Sequence, residues 1–294
     1  MKSNNLIIRV KHQGKENRPY TLNDYNKVLS LRKGGISYGK IAQKVNISNA
    51  TAQLWVKTSR KPRFLYAQIK QRKLKSKRLS PELAYIYGVL IGDGHLEKSK
   101  LSNRITLKVT DKEFAKKFYN VLKRWSGFKP TWSEASRISN HITMYGDLIK
   151  CNSYYYTVRF GSKQAVDFIS NNLKCRTKDW DIPKSIKNTK NRKIIFSFFQ
   201  GIFDSEGCAV YTPRYNKKRI DINMYGKQVR NLQKLLQKIG IESTVTQGQI
   251  QKQRGMYVLR ILRKESIKLF AKNVGFTIKR KKKILCKILA SYGS

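Results

Sequence analysis

Two segments of this 294-residue chain echo each other: Ile86-Tyr-Gly-Val-Leu-Ile-Gly-Asp93-Gly94 and Phe199-Gln-Gly-Ile-Phe-Asp-Ser-Glu206-Gly207. Each is an apolar run with a glycine near its start, and each ends in an acid followed by glycine. Gly88 and Gly92 stand four apart, as do Gly201 and Ser205, so each run carries small residues on one helical face. Small residues at that spacing let two helix backbones approach closely. The pattern predicts two helices packed together about a pseudo-twofold axis, with Asp93 and Glu206 brought to a common point. Acids are disfavoured at helix C-termini by the helix dipole, so two matched ones need a reason, and metal binding supplies it. The separation between positions 93 and 206 is the length of a small structural unit.

The element order downstream of each segment repeats as well. Ser80-Pro81-Glu82 is a helix start, with cap, proline and first-turn acid, and it leads into the first motif helix, expected to run to Gly94. Strand-like alternation at 104–110 (Ile105, Leu107, Val109) precedes a helix at 112–125, a strand at 154–160 and a helix at 163–172. After Gly207 come a strand at 219–224, a helix at 227–239, a strand at 257–262 and a helix at 265–273. The expected fold is α+β: a pseudo-twofold tandem repeat, αββαββα-like, spanning 80–188 and 189–294.

The N-terminal part, 1–57, reads differently. Leu22, Tyr25, Val28 and Leu29 have helical spacing up to Gly34-Gly35. Ser37 is placed to cap a second helix, Asn46 to make a left-handed turn, and Ser48 to cap a third helix through Trp55. A core of Ile41, Ala42, Val45, Ile47, Leu54 and Trp55 is expected. This small all-α part resembles a helix-turn-helix DNA-binding unit. On that resemblance Asn49, Thr51, Ala52 and Gln53 face a groove, and Lys57 and Arg60 meet phosphate. An ordinary trihelical packing unit is the alternative. Residues 58–79 form a basic connector carrying Arg60, Lys61, Arg63, Lys70, Arg72, Lys73, Lys75, Lys77 and Arg78, expected to lie along phosphates.

The charge sets the class of partner. Lys and Arg number 63 against 17 acids, a formal net charge of +46. That excess points to a polyanion, nucleic acid first. No apolar run is long enough to span a bilayer, so no membrane partner is expected. The first residues lack a secretory signal, and Cys151, Cys175, Cys208 and Cys286 form no C-x-x-C pair. An intracellular location is expected, in cytoplasm, nucleoid or organelle matrix. In such a chain two converging carboxylates point to metal-dependent cutting of nucleic acid.

The paired segments resemble the motifs of the LAGLIDADG homing endonucleases, in the monomeric form with two motifs. The resemblance covers about 80–294 and implies a site-specific double-strand DNA endonuclease. It also implies two saddle-shaped antiparallel sheets whose concave faces read the major groove. Asp93 and Glu206 are then catalytic metal ligands for Mg²⁺, with Mn²⁺ able to substitute. The family's first acidic position is Ile91 in one copy and Asp204 in the other, and it is not usually a metal ligand. Basic residues near the metal-bound water are expected at Lys112 (with Lys227 as its second-copy counterpart) or at Lys178 and Lys279. Alternation places Arg104, Thr106, Lys108 and Thr110 on one strand face and Arg219, Asp221 and Asn223 on the other, offering donors to base edges. The expected partner is double-stranded DNA, bound by a monomer. An RNA-binding intron maturase and a non-cutting DNA-binding regulator on the same fold remain open. With Met1 first and no terminal His-Asn pair, a complete intein is not expected.

Overall fold

The computed structural model describes residues 20–58, 74–99, 102–142, 148–176 and 178–293. The chain divides into two compact units, Met1–Arg72 and Lys73–Ser294.

The first unit contains α1 (Leu22–Lys33), α2 (Tyr38–Val45) and α3 (Asn49–Thr58). A capping box starts α1: Thr21 Oγ1 accepts from the Asp24 amide at 3.1 Å, and Asp24 Oδ2 accepts from the Thr21 amide at 2.8 Å. Asn46 takes the left-handed conformation (φ 55°) between α2 and α3, and Ser48 Oγ caps α3 through the Thr51 amide at 3.0 Å. Ser37 makes no side-chain cap bond to α2. The core is Tyr25, Val28, Ile41, Val45, Ile47, Ala52 and Trp55, with Tyr20 and Tyr25 edge-on to Trp55.

Two residues of α3 therefore exchange the places expected of them. Ala52 is fully buried and Leu54 is 46% exposed. The inward stripe runs through Ala52 and Trp55, three apart, and position 54 falls on the other side of the helix. Ala42 is only half-buried.

In the second unit the first repeat comprises α4 (Pro81–Ile91), β1 (Gly94–Lys98), β2 (Asn103–Val109), α5 (Lys112–Ser126), β3 (Thr131–Ile142), β4 (Leu148–Gly161) and α6 (Lys163–Asn172). A ribbon of β5 (Cys175–Arg176) and β6 (Asp179–Trp180) and a short helix α7 (Lys184–Asn188) lead to the second. That repeat comprises α8 (Arg192–Glu206), β7 (Gly207–Thr212), β8 (Lys217–Tyr225), α9 (Val229–Lys238), β9 (Thr244–Thr246), α10 (Gln249–Gln253), β10 (Met256–Ile261), α11 (Lys264–Asn273) and α12 (Lys279–Ala290). The two sheets have matching orders, β1-β2-β4-β3 and β7-β8-β10-β9, with every neighbour antiparallel. Registers match too: Gly94 pairs with Leu107 as Gly207 pairs with Ile222. Arg104 and Arg219 consequently occupy corresponding places, as do Glu97 and Val210.

One core, including Ile105, Leu107, Ile220 and Ile222 from the sheets and both motif helices, runs through the unit. The end of the basic connector belongs to it. The Leu74 amide donates to Gln164 Oε1 (2.8 Å), the Lys75 amide to the Ser126 carbonyl (3.2 Å), and Leu74 and Leu79 pack on the core. Arg60, Lys61, Arg63, Lys70, Arg72 and Lys73 lie outside the described residues. Among the described residues no helix is long and apolar enough to cross a membrane.

Candidate active site

Helices α4 and α8 meet backbone to backbone. A Cβ at Gly88 would lie 2.2 Å from the Phe198 carbonyl oxygen, and one at Gly201 2.4 Å from the Tyr85 carbonyl oxygen. Only glycine fits either place. One turn on, a Cβ at Gly92 would lie 2.4 Å from Ser205 Cβ and 3.2 Å from Glu206 Cγ. Gly88, Gly92, Gly201 and Ser205 thus line the crossing, and the contact carries Glu206 against the end of α4.

The two acids leave their helices differently. Glu206 is the last residue of α8, whereas α4 stops at Ile91 and Asp93 sits in the turn before β1. Asp93 is exposed and Glu206 half-buried. Neither carboxylate makes a hydrogen bond or ion pair among the described residues. Burial pushes the Glu206 carboxyl up to about 7, the Asp93 charge adds to this, and Lys281 opposes it. Although Asp93 is exposed as a whole residue, the protein around it desolvates its carboxyl and raises it, with Lys281 pulling it down and Asp111 adding to the rise. The pair is a set of hard oxygen donors held together against its own repulsion, which fits a hard divalent cation. No third carboxylate, histidine or cysteine joins them among the described residues. Any remaining ligands would be water and substrate oxygen.

The raised Glu206 carboxyl makes stability depend on pH. Folded protein holds this proton more tightly than unfolded chain, so ionisation at high pH opposes folding and the penalty fades as pH falls. Glu206→Gln is expected to raise the melting temperature of the metal-free protein by a few degrees well above pH 7, and to leave it unchanged below the usual glutamate value of 4.5. Thermal melts at the two pH values check this; an equal shift at both would show that charge is not the cause.

The lysines expected near the acids are seen with other neighbours. Lys112 faces Glu134 (3.8 Å) and the Tyr156 ring. Lys279, highly exposed, pairs with Glu113 at 3.3 Å. Lys178 is exposed in the β5–β6 turn, over the Tyr225 ring. Lys227 is exposed ahead of α9. The lysine at the acids is Lys281. It is 6% exposed, and its Nζ donates to the Phe203, Asp204 and Ser205 carbonyls at 3.1, 2.6 and 3.2 Å. These are carbonyls of the last turn of α8, that of Phe203 also accepting from the Gly207 amide, and a cation there meets the favourable end of the dipole. Burial lowers the Lys281 ammonium pKa, while Asp204 and Asp93 support the charge.

Asp204 is a structural tie. It is fully buried and accepts from Tyr85 Oη (2.8 Å), the Thr277 amide (2.6 Å) and Thr277 Oγ1 (2.6 Å). It thereby fixes α8 both to α4 and, through Thr277, to the loop leading into α12, the helix that carries Lys281. A second inter-repeat tie joins Asp111 to Arg280, whose Nε and Nη2 donate at 3.0 and 2.9 Å. Asp93, Lys108, Thr110, Asp111, Ser205 and Lys281 line an open cleft of about 260 Å³.

Comparison with known proteins agrees with this architecture. The model of the LAGLIDADG-like domain matches residues 193–275. Uncharacterized protein MJ0398 of Methanocaldococcus jannaschii is 30% identical over 290 residues, covering 90% of this chain and 93% of that protein. The chain belongs to the LAGLIDADG family. Uncharacterized protein MJ0314 of the same organism is 30% identical over 169 residues, 56% of this chain and 57% of its own length. Among solved structures, the homing endonuclease I-WcaI bound to its DNA recognition sequence is similar, with a TM-score of 0.51 and 14% identity over 76% of this chain and 92% of that one. That is a likeness of fold.

The LAGLIDADG sheets each turn one face to the core and one away. Ile105, Leu107 and Val109 are buried, leaving Arg104, Thr106 and Lys108 opposite; Ile220, Ile222 and Met224 are buried, leaving Arg219, Asp221 and Asn223 opposite. Lys108 stacks over the Tyr155 ring and reaches the cleft, so the outward face of the first sheet is continuous with the acids. In the first unit Asn49, Ala50, Leu54 and Lys57 are exposed on α3 with Gln53 half-buried among them. Thr51 is half-buried, its hydroxyl 2.7 Å from the Ser48 hydroxyl.

Proposed function

We propose that this LAGLIDADG protein is a site-specific double-strand DNA endonuclease of the homing type that uses a divalent cation. The observation that carries this is the pair of carboxylates, Asp93 and Glu206, unpartnered among the described residues, beside the crossing of α4 and α8, with Asp93 opening onto a cleft that also holds Lys108, Arg280 and Lys281. A fold kept only for binding has no need to hold two repelling acids together at its axis. Asp93 and Glu206 would hold the cation, Mg²⁺ or Mn²⁺. When bound, it supplies Lewis acidity to a phosphate oxygen and lowers the pKa of coordinated water. Lys281 holds the end of α8, which places Glu206, and its charge offsets the two acids. Lys108 and the outward sheet faces bind and orient the duplex. The net charge of +46 supplies long-range attraction.

Within this reading the first unit is a second reader of DNA. Asn49, Ala50, Gln53, Leu54 and Lys57 form one stripe of α3, polar donors alternating with small and apolar groups suited to base edges and thymine methyls. Tethering such a reader raises its effective concentration without touching the chemistry. Because residues 74–79 pack on the first repeat, a fragment should begin at residue 74 to keep that packing. Incubating the full chain and this fragment with a randomised duplex library and Mg²⁺, and sequencing the new ends, tests the proposal. Both are expected to cut at the same phosphates, the fragment with a requirement for more enzyme and a footprint shortened on one flank. Sequence enrichment without new ends would identify a non-cutting regulator instead.

A further inference from the structure

The pseudo-twofold places arginines at corresponding positions of β2 and β8, but their partners differ. Arg104 donates Nε (3.1 Å) and Nη2 (2.9 Å) to Glu97 on β1, and Nη2 also to Ser102 Oγ (3.0 Å). That guanidinium edge is occupied. On β7 the position matching Glu97 is Val210, which has no charge. Arg219 donates only Nε, at 2.7 Å, to Asp221 two residues along its own strand. Neither of its Nη atoms has a hydrogen bond among the described residues. Asp221 is also faced across the sheet by Arg260, which stops 3.8 Å short of it and is held by Thr246 Oγ1 at 3.0 Å. Arg219 and Asp221 are well packed, with 22% and 15% of their side chains exposed.

An arginine anchored through Nε keeps its two parallel Nη donors free, and these match guanine O6 and N7 in the major groove. The neighbouring carboxylate offsets its charge, which disfavours a plain phosphate contact relative to a base. We infer that Arg219 reads a guanine in the half-site facing the second repeat, with Asp221 as its positioning residue. The first repeat makes no such contact at the matching place, because Glu97 occupies Arg104. This rests on the reading of the outward sheet faces as DNA-binding.

The test is selection of bound duplexes from a randomised library by the full-length protein without divalent cation, so that binding is read apart from cutting. Wild type should enrich a sequence with a guanine in one half-site, preferred by roughly tenfold or more. Arg219→Ala should abolish that preference at that position alone. Asp221→Asn should weaken it at the same position, an effect that loss of mere structural support would spread across the whole site. An unchanged guanine preference in Arg219→Ala would overturn the inference while leaving the endonuclease reading intact. Failure of wild type to enrich any sequence would overturn both.

Discussion

Asp93→Asn and Glu206→Gln are each expected to slow DNA cleavage by at least about a thousandfold, roughly 4 kcal/mol of barrier, on both strands. Each amide keeps the shape of its parent and loses the charge that holds a cation. The effect should reach both strands because the two acids are close enough for the Asp93 charge to act on Glu206, whose Cγ lies against Gly92, next to Asp93 in the chain. DNA binding should be retained or strengthened, since each substitution removes a negative charge that repels a polyanion. Cleavage and gel-shift titrations of one target by the three proteins separate the two effects. Cutting at the wild-type rate by either variant would mean that the carboxylate has another role.

The second large effect is on stability. Gly201→Ala puts a methyl 2.4 Å from the Tyr85 carbonyl oxygen, a backbone atom that cannot rotate away. Overpacking in cores commonly costs about 1–3 kcal/mol, and a backbone clash at the centre of the crossing between the motif helices belongs at the top of that range. At about 2–4 °C per kcal/mol the melting temperature should fall by about ten degrees. Gly161→Ala is the control: the nearest atom to its Cβ would be the Asn103 carbonyl oxygen, 3.9 Å away. Similar melting temperatures for the two variants would mean that the helices separate at little cost.

The helix crossing is legible in the sequence because it is written locally, in small residues four apart within each motif. So is the left-handed turn at Asn46. Strands β1 and β7 are harder to see, since they begin directly at the motif glycines and continue without a turn signal. The lysine beside the two acids is obscured by its neighbours. Lys279, Arg280, Lys281, Lys282 and Lys283 are alike in composition, and only phase separates them. Ile278, Lys281, Leu285 and Ile288 form the buried stripe of α12 and its approach. A basic residue at an apolar phase is the one local signal that marks Lys281. The tie made by Asp204 is not legible, because its donors come from Tyr85 and Thr277, far away in the chain. On α3 the shift from Leu54 to Ala52 is a phase error of two residues, enough to turn a core residue outward.

The most direct measurement of what Asp93 and Glu206 do is metal uptake itself. Mn²⁺ would be titrated into the protein bound to its target DNA and followed by electron paramagnetic resonance. The wild-type complex should take up Mn²⁺ beyond the amount bound by DNA alone, and the Asp93→Asn, Glu206→Gln double variant should take up none beyond it. Equal uptake by the double variant and the wild type would contradict the assignment of these two carboxylates as the metal site.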